Sequence, residues 1–342
     1  MNIYIFQWIS ELGGADTRLK DLLKLFGSIK EFKVTCIPND DFRFLEKQNI
    51  DFLLNNNIDF ESFKTLPKKL DGIALSFCNF RLFSEKARID QIKNSGLKFI
   101  WSNDMMWHTN EEIDALKNQM IDAYLYTSEF HKERMQNEFT KNTKEFIVPN
   151  YFDSNSYSYY QRDTKDIFTI GKHSRPDNLK FSDDFPLFYN NLNLKNPRYR
   201  VMGVSDNFKQ RFMWYNFDTK WELLKANQEI TSNFLNSLDA YVYNSHPIFI
   251  ENQSRAIVEA ALNGLPIIAP NKYNFPNQII DKQTGFLWDT YEECVNSAQE
   301  LEDNPSLRKE MGIKAHNFSK DIWCDKDKQL KYWNNIFSSL IS

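Results

Sequence analysis

Glycine and cysteine are both scarce in this sequence, with 10 glycines and 4 cysteines among 342 residues. The cysteines stand at positions 36, 78, 294 and 324 and form no C-x-x-C pair. Four scattered cysteines without such a pair disfavour a disulfide framework. We predict a reduced cytoplasmic protein with buried thiols, because Cys36 and Cys78 lie in apolar runs typical of buried strands.

Long hydrophobic runs are absent as well. No apolar run reaches the roughly 18 residues that a membrane-spanning helix requires. Residues 1–8 lack the basic region of a signal peptide and are predicted to form a first strand. The sequence therefore predicts a cytoplasmic protein with no integral membrane segment. Contact with the inner face of the membrane would be peripheral, and no strongly amphipathic basic helix supports it.

An excess of positive charge is also missing. Lys and Arg number 42 against 46 Asp and Glu, which gives a net charge of −4. A dedicated nucleic-acid-binding protein usually carries a basic excess, so DNA or RNA is disfavoured as the main partner. The G-x-G-x-x-G fingerprint of dinucleotide-binding enzymes is absent too, which argues against NAD as a cofactor.

The chain does contain an alternation of strand-like and helical patterns, which predicts parallel sheets covered by helices on both faces. Its length favours two domains, placed at 1–152 and 153–320 and followed by a last helical segment at 321–342. The polar run 153–166 is interpreted as the interdomain linker. Predicted strands cover 2–9, 33–37, 72–78, 98–102, 123–127, 145–149, 167–171, 199–203 and 239–243. Predicted helices cover 84–94, 110–119, 128–138, 220–238, 290–318 and 321–341, and short helices are expected without fixed bounds within 38–70.

Residues 251–269 organise the C-terminal half of the chain. A helix is predicted to begin after Ser254, a good N-cap residue, and to end at Gly264 in a left-handed C-cap. Glu251 precedes this helix and Glu259 lies within it. A helix N-terminus can bind phosphate, and carboxylates beside it can accept hydrogen bonds from sugar hydroxyls. Two solvated glutamates on an amphipathic helix are the structural alternative.

The order of these residues resembles the donor-binding motif of retaining glycosyltransferases of family 4, group 1 glycosyl transferases with the GT-B fold. Glu251 is followed after seven residues by Glu259, and then by Ala-x-x-Gly-x-Pro and three small or apolar residues. Residues 277–287 also resemble a segment of that family, with Asn277 in place of the usual glutamate. The resemblance is good over 145–320 and looser in the N-terminal half.

This resemblance implies an α/β fold of the GT-B type, in which two Rossmann-like parallel-sheet domains face a central cleft. The first domain would lie on the acceptor side, and the second would bind the nucleotide sugar. The loop after Gly171 resembles the family's basic loop, in which Lys172, Arg175 and Lys180 would neutralise a diphosphate. Lys172 replaces the usual arginine, which keeps the charge but not the bidentate geometry. A basic surface loop is the alternative.

Two carboxylates complete the implied donor site. Glu259 would accept hydrogen bonds from the ribose hydroxyls, and Glu251 would accept them from the donor sugar. A Gly-Gly loop after the first strand resembles the family's first loop. The implied donor-binding residues are Gly13, Gly14, Gly171, His173, Arg175, Lys180, Asn252, Ser254, Arg255 and Glu259.

On the acceptor side, Asn103 and Asp104 stand where many family members have a His-Asp pair, and His108 lies nearby. Capping of the next helix by Asp104 is the structural alternative. His131, in a turn that resembles the family's S-E-F-x-K segment, is interpreted as an ordinary first-turn residue. The implied catalytic residues are Asp104, His108, Lys172 and Glu251.

The resemblance implies an enzyme that transfers a sugar from a nucleoside diphosphate sugar to an acceptor hydroxyl, with retention of configuration. No metal and no cofactor are expected. The acceptor stays open among a glycan, a lipid-linked glycan and modified DNA, with surface glycan or lipopolysaccharide synthesis as the usual setting. The alternatives are a phage-type DNA glycosyltransferase, a non-catalytic nucleotide-sugar-binding protein and a sugar-nucleotide epimerase.

Overall fold

The computed structural model describes residues 1–7, 9, 14–39, 46–136, 140, 141, 143–162 and 166–341, with the backbone alone at 14 and 15. The chain divides into two compact units. Unit 1 comprises Met1–Asp153 together with Asp325–Ser342, and unit 2 comprises Ser154–Cys324.

Unit 1 is built on a seven-stranded parallel sheet. Its strands are β1 Asn2–Phe6, β2 Lys33–Ile37, β3 Asp59–Phe60, β4 Ile73–Phe77, β5 Lys98–Ser102, β6 Ala123–Tyr126 and β7 Lys144–Ile147. Its first helices are α1 Gly14–Gly27, α2 Lys47–Asn55, α3 Arg81–Ser84, α4 Lys86–Ser95, α5 Asn110–Lys117 and α6 Glu129–Met135. The strand order is β3-β2-β1-β4-β5-β6-β7. All five residues of β4 are buried, as expected for a strand that helices cover on both faces.

Unit 2 contains a six-stranded parallel sheet. Its strands are β8 Phe168–His173, β9 Pro197–Val204, β10 Trp221–Lys225, β11 Ala240–Val242, β12 Ile267–Pro270 and β13 Gly285–Trp288. Its helices are α7 Phe185–Asn190, α8 Asp206–Arg211, α9 Thr231–Asn236, α10 Arg255–Leu262, α11 Tyr291–Asp303 and α12 Pro305–Trp323. The strand order is β10-β9-β8-β11-β12-β13.

The last helix, α13 Lys326–Ile341, belongs to unit 1. Its Trp333 ring packs edge-on against Phe26 of α1, with the ring centroids 5.3 Å apart. Gln329 donates a hydrogen bond to the carbonyl of Pro149 at 2.6 Å. The sequence predicted this helix from residue 321, but α12 continues through Trp323 and a break separates the two helices.

The segment 154–162, within the predicted linker, is bound to unit 2. The Arg162 guanidinium donates to the carbonyl oxygens of Leu238 and Gly264, near the C-terminal ends of α9 and α10. Gly264 has φ +75°, which confirms the predicted left-handed C-cap, and the ring of Tyr159 lies where a Cβ at this position would stand. These contacts join the segment to backbone carbonyls of the turns that follow the two helices.

One predicted helix is wrong. Residues 220–238 form strand β10, a turn and the short helix α9. The turn includes Asn227 at φ +57°. Strand β10 pairs in parallel with β9 along most of its length, and this pairing prevails over the helical propensity of its Leu, Glu and Lys residues. Among the described residues, no helix is both long and apolar enough to cross a bilayer.

Candidate functional site

The candidate site in unit 2 lies beyond the carboxyl ends of the adjacent strands β8 and β11. Ligands bind at this edge in doubly wound sheets. Lys180 follows β8, and its ammonium lies 2.9 Å from the Glu251 carboxylate in the loop after β11. The same ammonium stands 3.9 Å from the centroid of the Phe249 ring. Lys180 and Glu251 side chains are 15% and 11% exposed, so the ion pair is largely enclosed but still reachable.

Tyr243 fixes the other side of Glu251. Its hydroxyl donates a short hydrogen bond to the same carboxylate oxygen that Lys180 contacts. Burial, and then the Glu251 carboxylate, raise the pKa of Tyr243 well above its ordinary value. The phenol therefore remains a donor, and Glu251 is held as an oriented acceptor.

Glu259 is the second carboxylate of the site. It lies on α10, and His173 Nε2 stands 2.9 Å from its Oε2 atom. Tyr157 donates to its Oε1 at 3.2 Å, and Arg255 Nε lies 3.4 Å from the same oxygen. Burial raises the pKa of Glu259, but the His173 hydrogen bond and the Arg255 charge outweigh it, so the pKa lies below its ordinary value. Glu259 is therefore a buried, ionised acceptor.

Lys172 does not lie on the surface of this site. It is fully buried, and its ammonium donates to the carbonyl oxygens of Lys180 and Asn244. Burial lowers the pKa of Lys172 well below its ordinary value, and Lys180 acts in the same direction. The sequence expected Lys172 to face a diphosphate; the structure instead uses it to fasten the loop of Lys180 to the end of β11.

Gly171 also has a role that sequence reasoning did not find. It lies within β8, opposite Arg200 of β9. A Cβ at this position would stand 1.8 Å from the Arg200 carbonyl oxygen. Glycine is therefore required at this predicted donor-binding position because strands β8 and β9 approach each other closely there.

The start of α10 differs from its predicted chemistry. Ser254 is the N-cap residue as expected, but its side chain makes no capping hydrogen bond. Gln278 exchanges two hydrogen bonds of 3.0 Å with the backbone of Ser254 instead. Asn252 and Arg255 are buried beside it. The residue that fixes this helix start is 24 positions away, beyond the reach of a local capping rule.

Several predicted donor-binding side chains form ion pairs, and Arg175 is the most exposed of these. Its side chain is 41% exposed and pairs with Asp177 at 2.8 Å. Of the two predicted loop glycines, Gly13 lies outside the described residues, and Gly14 is the first residue of α1.

In unit 1, Asp104 lies just beyond the carboxyl end of β5. It forms a short ion pair with Arg18 of α1, which is 3% exposed. Ser102 donates to the same carboxylate at 3.1 Å, and the backbone N–H of Asp104 donates to Cys78 Sγ at 3.0 Å. Sequence reasoning missed Arg18; the available signal was its spacing of four residues from Leu22, which places it on the predicted buried face of α1.

His108 has different partners from Asp104. Its Nδ1 atom lies 3.2 Å from the fully buried Glu112 carboxylate. Burial lowers the pKa of His108, but Glu112 outweighs that effect, so the pKa is raised. Glu112 also accepts from Asn103 and Trp101, at 3.0 and 2.7 Å. Glu112 thus positions both Asn103 and His108 through one carboxylate.

His131 is buried and held in its neutral form. Its Nδ1 accepts from the backbone N–H of Thr127 at 3.1 Å, and its Nε2 lies 3.3 Å from the Met105 carbonyl. Burial lowers the pKa of His131 to about 3. These contacts agree with a structural first-turn residue.

We expect this histidine to make the protein acid-sensitive. Unfolded His131 binds a proton below about pH 6.5, whereas the folded residue stays neutral to about pH 3. Below pH 6.5 the unfolded state therefore takes up a proton that the folded state does not bind. The free energy of unfolding falls as a result, by about 2 kcal/mol at pH 5 relative to its value above pH 6.5. Urea unfolding of wild type and His131→Gln at pH 7.5 and 5 measures this difference. Equal pH dependence in the two proteins would contradict it.

A family model gives the first comparison with known proteins. Residues 202–318 match the family described as glycosyl transferases group 1. The matched segment includes Glu251, Glu259 and the whole of α10, and it covers about a third of the chain. No curated protein sequence matches the chain.

Solved structures give the second comparison. A glycosyltransferase from Rickettsia africae superposes with a TM-score of 0.77 at 13% identity, covering 100% of this chain and 99% of that one. HepE from Anabaena, in complex with UDP and glucose, gives 0.75 at 14% identity, covering 99% and 100%. Sucrose-phosphate synthase from Thermosynechococcus elongatus gives 0.73 at 11%, with the same coverage as HepE. At these identities the similarity establishes the fold, a GT-B architecture with two parallel-sheet α/β domains, and confirms the predicted fold class.

Proposed function

We propose that this protein is a glycosyltransferase that transfers a sugar from a nucleoside diphosphate sugar to an acceptor hydroxyl. The observation that carries the proposal is the pair Glu251 and Glu259, two enclosed carboxylates beside the N-terminus of α10. Both lie within the segment that matches group 1 glycosyl transferases. An exposed amphipathic helix with solvated glutamates would not enclose them in this way.

In this proposal the two carboxylates bind the two ends of the donor. A carboxylate has about four acceptor sites. In the described part of the chain, Glu259 accepts hydrogen bonds from His173 and Tyr157 and forms an ion pair with Arg255. Its remaining capacity would accept a ribose hydroxyl. Glu251, oriented by Lys180 and Tyr243, would accept from the donor sugar.

The diphosphate would lie near Lys180, Arg175 and the positive N-terminal end of the α10 dipole. The leaving nucleoside diphosphate takes negative charge with it, so preorganised cations and N–H donors stabilise the transition state more than the ground state. With these groups supplying the positive charge, we propose that the reaction requires no metal and no cofactor. Lys172 would act by positioning Lys180.

Retention of anomeric configuration and a cytoplasmic setting are further parts of the proposal. Retention rests on the resemblance of residues 251–269 to the retaining family. It is tested by the anomeric NMR coupling of the product, which should equal that of the donor. The setting rests on four free cysteines, all buried or half-buried. We propose surface glycan or lipopolysaccharide synthesis as the process, with peripheral contact at the inner membrane face.

The test of the donor site is thermal stabilisation by UDP, GDP, ADP, CMP and NAD. We expect one nucleoside diphosphate to raise the Tm by several degrees, because a ligand at about 100 times its Kd adds about 2.7 kcal/mol. UDP is the first candidate, since HepE binds it. A shift with NAD alone, or with none of the five, would overturn the proposal. Hydrolysis of the matching nucleotide sugar then separates an enzyme from a binding protein.

A further inference from the structure

Two aromatic side chains in unit 1, Phe80 and Trp107, form a stacked and partly exposed pair that we call the aromatic platform. Their ring centroids lie 5.2 Å apart and their planes differ by 19°. Trp107 is 50% exposed. A large aromatic surface in water is unfavourable by itself, so the exposed half of this indole needs an explanation.

Buried neighbours hold both residues of the aromatic platform in place. Phe80 packs edge-on against the fully buried Trp101, with centroids 5.6 Å apart. The backbone carbonyl of Trp107 accepts from Asn103 Nδ2 at 2.8 Å. Asn103 is itself bound to the buried Glu112. A preorganised aromatic surface loses little conformational entropy when a ligand binds.

The platform also lies where a ligand is expected. Phe80 follows β4 and Trp107 follows β5, and these strands pair in parallel. Both side chains therefore extend from the carboxyl edge of the sheet, at which doubly wound folds bind ligands. Asp104, in the same loop as Trp107, has a side chain that is 19% exposed and can accept hydrogen bonds from hydroxyl groups.

The charges around the platform select among ligand classes. Residues 102–112 contain Asp104, Glu111 and Glu112 but no Lys or Arg. The nearby Arg18 is already paired with Asp104. Of the three carboxylates, Glu112 is buried and Asp104 is paired, so Glu111 is the exposed one. Arg81, beside Phe80 in the sequence, pairs with Glu85. A phosphate group would meet Glu111 and no Lys or Arg in this loop, which disfavours nucleic acid and anionic lipid. A neutral sugar ring has no such penalty: its C–H face is attracted to the negative face of an indole, and its hydroxyls donate to carboxylates.

The size of the platform argues against a protein partner. One aromatic side chain buries about 150–250 Å², whereas a specific protein interface buries about 800 Å² on each partner. A single ring of a carbohydrate matches the smaller area.

We propose that the Phe80–Trp107 platform binds one sugar ring of a neutral glycan. Its identity as the acceptor subsite rests on the glycosyltransferase function proposed above, whereas the binding of a neutral glycan does not. Trp107 supplies the stacking face, Phe80 keeps it in place, and Asp104 accepts hydrogen bonds from the sugar. The platform thereby narrows the proposed acceptor, which was open among a glycan, a lipid-linked glycan and modified DNA, to a neutral glycan.

The experiment measures binding of the whole 342-residue chain to neutral oligosaccharides, sulfated oligosaccharides and single-stranded DNA, without any nucleotide present. We expect a neutral oligosaccharide to bind, Trp107→Ala to weaken it by about tenfold or more, and Trp107→Phe to retain most of the affinity. The matched control is Trp214→Ala, which removes a tryptophan of similar exposure, 55%, from unit 2. That variant should bind as wild type does.

Three results would overturn the proposal: no neutral oligosaccharide binds, binding is unchanged in Trp107→Ala, or a Trp107-dependent signal appears with DNA or sulfated glycans instead. Because Trp107 is half exposed, its replacement should leave the Tm within a few degrees of wild type, which verifies that the variant is folded. The glycan panel contains no nucleotide and the Tm panel contains no glycan. Failure of the donor site and failure of the platform therefore give different results.

Discussion

Replacing Lys180 with alanine is expected to lower kcat/KM for sugar transfer by about 10²–10³-fold. Lys180 is the enclosed cation of the proposed donor site, 2.9 Å from Glu251. Its loss would remove the group that we propose to stabilise the departing diphosphate, and it would remove the ion pair with Glu251. Both effects should be larger in the transition state than in the ground state, so kcat should fall together with kcat/KM.

The matched control for this prediction is Lys209→Ala, an exposed lysine on α8 of the same unit. It should transfer sugar at the wild-type rate. Arg175→Ala should have an intermediate effect, because Arg175 is 41% exposed and already paired with Asp177. A Lys180→Ala enzyme with kcat/KM within about threefold of wild type would remove Lys180 from the mechanism.

Replacing Glu259 with alanine is expected to lower the free energy of unfolding of unit 2 by about 3–5 kcal/mol. The carboxylate lies between Arg255 and His173, whose side chains are 8% and 10% exposed. Removing it takes the nearest carboxylate in the described residues away from the buried Arg255 charge, which costs more than the ion pair contributes. Urea unfolding followed by a unit 2 tryptophan signal measures this loss.

Two variants separate stability from ligand binding at this position. Glu259→Gln keeps the volume and one acceptor oxygen, so it should be less destabilised than alanine while still binding the nucleotide more weakly than wild type. Glu310→Ala removes a 63% exposed carboxylate of α12 that pairs with Lys314, and it should leave the urea midpoint close to that of wild type, because exposed ion pairs contribute little. An alanine variant at 259 as stable as wild type would contradict the structural role of Glu259.

Sequence patterns located most of the strands because each one is a short, continuous apolar run. Strands β2 and β5 have the predicted bounds, and the other predicted strands differ by a few residues at their ends. Strand β10 was missed because its Trp-Glu-Leu-Leu-Lys sequence has no strand periodicity of its own. Its conformation depends on pairing with β9. The propensities of its own residues do not record that pairing.

The candidate site divides in the same way. Glu251, Glu259 and the C-cap at Gly264 were found because they belong to one continuous segment with a fixed spacing. The burial of Lys172, by contrast, depends on the carbonyl of Asn244, 72 positions along the chain. A lysine in a basic loop gives no signal that its ammonium will be turned inward.

The sequence by itself determined the α/β class, the position of the glutamate motif and the left-handed turn at Gly264, because each depends on neighbours within about two helical turns. Only the tertiary structure decided which groups meet across the chain: Arg18 with Asp104, Gln278 with Ser254, and Phe80 with Trp107. Parallel strands bring together the ends of segments that are far apart in sequence. The partners at those ends are therefore set by strand order and register, which no local pattern records.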